Sequence, residues 1–364
     1  MQSLILAQKK PHSFFSILLQ HSCRSLCLNR GWGLSYLLKT ALFFVMILFV
    51  ACNASNSSNQ VPAQTGLPIT PSDPNGFKTY SYSDRAFPDD NIWNTDISQA
   101  EVDPNSATYI NSLGSTGTLH ADFGTVWAGE KLGIPVNVVY ANQPKVPVSF
   151  TYAEWSDNGP YPIPSDAVIQ HAQDSNGDRH LSVVDVDNGL LYEIYRAFPD
   201  GHGGWTGDSG AIFDLKTNHQ RPDNWTSADA AGLPIFPSLV RYDEVVLQGE
   251  IRHALRVTAN QTRKAYVYPA THQASTLTST NLPPMGARLR LKANYDISSF
   301  SPHVQVILRA MKKYGMFIAD NGVSWQVTGD YNLSWDDQEL SGLRRVPGSA
   351  FEVIKLPPLK YTPW

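Results

Sequence analysis

DRHLSVVDVDNGLLYEIYRAFPDGHGGWTGDSGAIFDL, residues 178–215, sets the architecture of this chain. Two strand-like runs, His180–Val186 and Leu190–Ala197, flank Asn188-Gly189. Asn-Gly favours the two-residue type I′ turn, in which both central residues take positive φ. That turn pairs Asp187 with Leu190, Asp185 with Tyr192 and Val184 with Glu193. Side chains alternate along a strand. One face therefore carries His180, Ser182, Val184, Glu193 and Tyr195. The other carries Leu181, Val183, Asp185, Tyr192 and Ile194. The second face is the more apolar and reads as the core side, with Asp185 as its anomaly. The first reads as the half-polar lining of a groove.

Working outward, Ile134–Tyr140, Val146–Tyr152, Ala211–Leu215, Glu244–Val246, Glu250–Thr258, Lys264–Tyr268, Ala287–Ala293, Met316–Ala319, Trp325–Thr328 and Phe351–Ile354 also read as strands. Ser106–Leu113 reads as a short helix, as does Thr226–Ala231 under a Thr or Ser cap. A longer helix has Ser301 as its cap, Pro302 at its first position and Gly315 past its end. Val304, Ile307, Leu308, Met311 and Tyr314 give it an apolar stripe. Ser334 caps a last short helix, Trp335–Leu343. The expected fold is mainly β: a single β-sandwich-like domain with one or two peripheral helices.

The N-terminus reads as targeting sequence. Residues 1–52 hold the apolar run Thr40–Val50, too short for a clear membrane span and suited to a secretory signal. Phe49-Val50-Ala51-Cys52 is a loose lipobox, so Cys52 is a candidate lipidation site on a membrane-anchored lipoprotein. Cleavage near Ala51 or Ala54 is the plainer alternative. Residues 53–79, rich in Ser, Asn, Pro and Gln, read as a flexible tether. Residues 80–364 form the β-rich domain. All three cysteines lie at or before residue 52, so this domain has neither disulfides nor a thiol nucleophile. The net charge is −4, with 28 basic and 32 acidic residues, which argues against a nucleic-acid partner.

No Walker loop, GxSxG elbow or HExxH helix is present. No metal set or cofactor is assigned. Glycosidic hydrolysis needs a protonated acid and a carboxylate flanking one bond. Glu193, in an apolar and aromatic strand where burial raises its pKa, is the candidate acid. Asp122 is the candidate base or nucleophile, with Asp185, Asp208 and Asp320 weighed as partners. In a lyase, His180 or His253 instead abstracts a proton as a neutral base. Trp127, Trp205 and Tyr195 are candidates for stacking on sugar rings. Seven basic residues and no acidic one lie between Arg252 and Lys292. They read as a basic sheet face on which Arg252 or Arg256 holds an acidic sugar.

Several segments resemble a recurrent group of uncharacterised secreted bacterial proteins: FPDDNIWN (87–94), GDRHLSVVD (177–185), SGAIFDL (209–215), RPDNWTSADAAGLPI (221–235), IRHALRVT (251–258), PPMGARLRLK (283–292) and YGMFIADNG (314–322). The resemblance implies one extracytoplasmic domain type and brings no reaction with it. The expectation is therefore a secreted or membrane-anchored carbohydrate-active protein acting on a polysaccharide or cell-surface glycan, by hydrolysis or β-elimination. The alternative is a non-enzymatic glycan-binding or envelope structural protein.

Overall fold

The computed structural model describes residues 85–362. The Asn188-Gly189 hairpin is present with a longer loop than expected. Asp185 pairs with Leu190 and Ser182 with Glu193, leaving residues 186–189 as the turn. Of Asn188 and Gly189, only the glycine has positive φ, at 67°, so the type I′ geometry is not adopted. The Asp185 carboxylate instead accepts from Asn188 N at 3.2 Å and Nδ2 at 2.7 Å. These bonds draw the chain into the wider loop. The register differs from the expected one by an even step, which keeps each side chain on its expected face; an odd slip inverts them all.

The strands in chain order are β1 (His120–Gly124), β2 (Val126–Trp127), β3 (Glu130–Lys131), β4 (Val136–Val139), β5 (Val148–Phe150), β6 (Leu181–Asp185) and β7 (Leu190–Tyr195). They continue as β8 (Phe198–Pro199), β9 (Trp205–Gly207), β10 (Ser209–Asp214), β11 (Leu255–Ala259), β12 (Arg288–Leu291), β13 (Met316–Asn321), β14 (Gln326–Tyr331) and β15 (Phe351–Val353). A six-stranded sheet has the order β1-β14-β11-β13-β12-β15, and a four-stranded one β10-β7-β6-β4. A three-stranded sheet, β5-β9-β8, and the small hairpin β2-β3 complete the set. Parallel and antiparallel pairs mix within both main sheets: β1–β14, β11–β13 and β4–β6 are parallel. The fold is thus mixed α/β, several sheets with a few helices, rather than the mainly-β chain expected.

The helices are α1 (Ser106–Leu113), α2 (Pro302–Lys313) and α3 (Asp337–Leu340). Helix α2 begins at Pro302 and stops before Gly315, whose φ of 69° is the left-handed turn that ends helices. Its buried residues Val304, Ile307, Leu308 and Met311 join Leu255, Val257, Leu289 and Met316 of the six-stranded sheet in the main core. Val184, Leu191 and Phe213 of the four-stranded sheet belong to the same core. The opposite face of that sheet, Leu181, Val183, Tyr192 and Ile194, buries a second core around Tyr161 and Ile163. The four-stranded sheet is therefore covered on both sides, and the half-polar face expected to line an open groove is not open at Glu193.

Other expectations are corrected by tertiary contacts. Glu244–Val246 is no strand but part of a π-helix, Asp243–Gln248, closed by Gly249 at φ 73°. Lys264–Tyr268 makes only isolated bridges through Tyr266. Thr226–Ala231 is not helical: Ser227 Oγ bonds Leu233 O at 2.6 Å and Asp229 O at 3.0 Å, and the segment turns instead. The basic face is not a surface. Arg288 donates to the carbonyls of Ile92, Thr95 and Tyr314, and Arg290 to those of Ile97 and Ala100 and to Glu352. These arginines fasten the N-terminal coil across the sheet. The expected membrane association is also withdrawn: among the described residues no helix is long and apolar enough to cross a membrane. Thr40–Val50 and Cys52 lie outside the described residues.

Candidate active site

Arg256 is the centre of a largely buried polar row on the six-stranded sheet. Asp122 on β1 pairs with Thr328 on β14, and Val327 pairs with Val257 on β11. Asp122, Thr328 and Arg256 therefore form a row across three strands. Arg256 Nη1 donates to Thr328 Oγ1 at 2.7 Å. Its Nε and Nη2 grip Asp229 at 3.2 and 2.8 Å, a bidentate pair with Asp229 only 1% exposed. Burial opposes the Arg256 charge, but Asp229 and then Asp320 outweigh it and hold the guanidinium above its ordinary pKa. The non-helical turn at 226–231 is what brings Asp229 under the sheet.

Around this pair stand groups from both main sheets. Asp320 lies near the end of β13, half-buried, and accepts from Asn321 N at 2.7 Å. Burial and then the Asp229 charge push its carboxyl up to about 7, against the pull of Arg256. Burial likewise raises Asp122, which Arg256 and His171 pull back and Asp178 raises further. From the four-stranded sheet come His180, just before β6, and Tyr195, at the end of β7. Their rings lie 5.6 Å apart. Burial holds His180 down to about 4, which Asp178 opposes and Arg256 reinforces. At neutral pH it is an uncharged imidazole. His180 is 7% exposed, and its Nδ1 finds no partner among the described residues. Burial and then Asp178 and Asp320 push the Tyr195 hydroxyl up.

The loops that carry these groups are backbone-strained. His171, Arg179 and Arg196 have φ of 44°, 47° and 56°, a region that non-glycine residues seldom occupy. Arg196 N donates to Asp178 O at 2.9 Å, and Arg179 Nε to Ala197 O at 3.1 Å. Strain held in place this way clusters at functional sites.

The candidates named from sequence divide into two groups. Arg256 acts on both Asp122 and His180, and the His180 ring lies against Tyr195. Glu193 is not among these. It is fully buried, and its oxygens accept from Ile235 N at 2.9 Å, Phe236 N at 2.8 Å and Ser182 Oγ at 3.1 Å. Burial raises it to about 7 against those bonds, but it anchors the 3-10 turn Phe236–Ser238 and faces no solvent. Asp185 shapes the hairpin loop. His253 bonds Glu244 at 2.9 Å through Nε2 and the Ala254 carbonyl at 3.0 Å through Nδ1. Arg252 acts on the same Glu244. Both belong to a separate buried network with Arg241 and Asp243. Trp205 packs against the second core. Trp127 is 69% exposed on the β2–β3 hairpin that directly follows β1.

The sequence reading passed over Asp178, Asp229 and His171, and it weighed Asp320 only as a partner for Glu193. Asp320 carried a signal, a lone carboxylate closing the apolar run Met316–Ala319. Asp229 carried none, since ADAAG reads as helix. No protein-family model, curated protein or solved structure matches this chain.

Proposed function

We propose that the polar cluster around Arg256 is a general acid–base site of an exported carbohydrate-active enzyme that hydrolyses a polysaccharide. The observation that carries this reading is that Asp122 on β1 and Asp320 on β13 flank the buried Arg256–Asp229 pair and both feel the Arg256 charge. Retained proton and ionised partner are the two roles that glycosidic cleavage requires. Asp320, with its carboxyl near 7, is the proton donor to the leaving oxygen. Asp122 is the base or nucleophile; burial raises its carboxyl, and Arg256, two strands away, pulls it back toward the ionised form. Asp229 is not available for chemistry, because both its oxygens are held by Arg256. We read the facing of the six- and four-stranded sheets as a sandwich-like frame that supports these groups from both sides.

One observation favours a second reading. His180 is neutral and its ring lies tilted beside Tyr195, and such a pair abstracts the proton in β-elimination. The experiment that separates them is a polysaccharide panel with the purified protein, scored for reducing ends and for the absorbance of unsaturated uronates. Reducing ends without absorbance, abolished in Asp320→Asn, support hydrolysis. New absorbance abolished in Tyr195→Phe moves the assignment to a lyase. Binding without either product makes the protein a lectin.

A further inference from the structure

Away from the Arg256 row, a second buried cluster surrounds the π-helix Asp243–Gln248. Arg241 Nη2 donates to Glu244 Oε1 at 2.8 Å, and its Nε to Asp243 Oδ1 at 3.1 Å. Gln248 Nε2 donates to the other Asp243 oxygen at 3.3 Å. Glu244 Oε2 meets His253 Nε2 at 2.9 Å, and His253 Nδ1 meets the Ala254 carbonyl at 3.0 Å. Arg241, Asp243, Glu244 and His253 are all buried.

Both ring nitrogens of His253 thus face oxygen. A carbonyl accepts and never donates, so Nδ1 carries a hydrogen. A neutral imidazole has one N–H, which leaves Nε2 as a bare lone pair. A bare Nε2 against an ionised carboxylate sets two lone pairs face to face. The contact closes only with one extra proton between ring and carboxyl. Burial raises Glu244, but Arg241 and then His253 outweigh it and hold the carboxyl below its ordinary range. The extra proton therefore belongs to the ring.

This contact ties His253, just ahead of β11, to the first turn of the π-helix, across the exposed stretch 247–250. π-Helical turns are rare and recur at functional positions. The segment also borders the Arg256 row: Val240 N donates to Thr328 O at 3.1 Å, and Thr328 Oγ1 accepts from Arg256. The other charges around the contact are few. Arg252 acts on Glu244 as Arg241 does. Asp330 of β14 accepts from Tyr242 N at 3.1 Å, and burial and then the Asp243 charge push its carboxyl up to about 7. Lys313 of α2 acts on Glu250, outside the contact.

We propose that the His253–Glu244 contact is a proton-held latch that keeps residues 241–253 closed and releases them as pH rises. The closed state binds a proton that the open state gives up more readily, so its stabilisation is present at low pH and lost as pH rises. The test is amide hydrogen exchange of the purified protein, corrected for base catalysis, between about pH 6 and about pH 8.5. Protection over 241–253 is expected to fall by about tenfold or more, within the tenfold per pH unit that one linked proton allows. Protection over 181–185 of β6 is expected to stay within about twofold. His253→Gln, whose amide donates to Glu244 at every pH, is expected to flatten the fall, and Asp330→Asn to leave it in place. A fall that survives His253→Gln, or no fall in the unaltered protein, overturns the latch. Nitrogen NMR of the His253 ring needs no variant. It is expected to show two protonated nitrogens at about pH 6 and the loss of one over the interval in which protection falls. A ring with one bare nitrogen at about pH 6 also overturns the proposal.

Discussion

Arg256 and Asp229 form a two-point ion pair, 2.8 and 3.2 Å, across a space that neither sequence neighbourhood announces. The arginine comes from a strand in the middle of the six-stranded sheet. The aspartate comes from a turn nearly thirty positions earlier. Each neutralises the other, and together they set the electrostatic background in which Asp122 and Asp320 titrate.

Removing one partner of such a pair leaves an uncompensated buried charge, which costs about 3–5 kcal/mol. Arg256→Met is expected to lose stability of that order in urea denaturation at pH 7. The double variant Arg256→Met with Asp229→Asn should recover part of the loss, because no isolated charge remains. Additive losses in the double variant would show that the pair is not coupled.

Asp320 gives a pH signature with a definite sign. Its folded value, about 7, lies above the roughly 4 of an unfolded aspartate. The folded state therefore holds the proton longer. Its stabilising contribution is complete below about pH 4 and is lost as pH rises through about 7. Asp320→Asn should thus be relatively more stable than the parent at pH 8, while kcat falls by about 10²–10⁴. In the parent, activity should decline above pH 7 as the donor deprotonates. A destabilised Asp320→Asn with unaltered kcat would refute the assignment.

Glu193 separates structure from chemistry. Glutamine in its place sets an amide NH₂ against either Ile235 N–H or Phe236 N–H, donor facing donor. Leaving such a buried group unmatched costs about 1–3 kcal/mol. Glu193→Gln is expected to lower the urea midpoint by that amount, with the cleavage rate per folded molecule within about twofold. Loss of activity at full stability would return Glu193 to the site.

Gly315 sits at φ 69° with Leu289 O inside the space a Cβ needs. Left-handed backbone costs a non-glycine residue about 1–2 kcal/mol, and the carbonyl adds a steric clash. Gly315→Ala should destabilise by at least that amount in thermal unfolding, without changing KM.

Much of the local structure was legible because it is written locally. The Ser106–Leu113 helix stands where expected, and the Pro302 helix follows from its proline start, apolar spacing and Gly315, although Ser301 makes no side-chain capping bond. The hairpin followed from Asn188-Gly189, and its faces survived an even shift in register. What failed depends on distant chain. Alternation identified the face that carries Glu193, but residues 233–238 cover that face, and nothing near Glu193 encodes them. Asp243–Gln248 has the apolar content of a strand, yet Tyr242 N is held by Asp330 at 3.1 Å and the chain coils there. At the site, His180, Tyr195 and Arg256 were visible as unusual residues on patterned strands, whereas Asp122 read as part of an aromatic loop and lies on a strand, β1. Asp229 was invisible because its position is set by Ser227 bonding two carbonyls of a turn that composition disguises as a helix.

The grip of Arg288 and Arg290 on the carbonyls of Ile92, Thr95, Ile97 and Ala100 has an evolutionary corollary. A carbonyl is supplied by every amino acid, so these arginine contacts hold the coil by its path, whatever its solvent-facing side chains are. Solvent-facing positions along it can drift in identity while the strap stays fastened, whereas replacing Arg288 frees two of its carbonyls at once, and replacing Arg290 the other two.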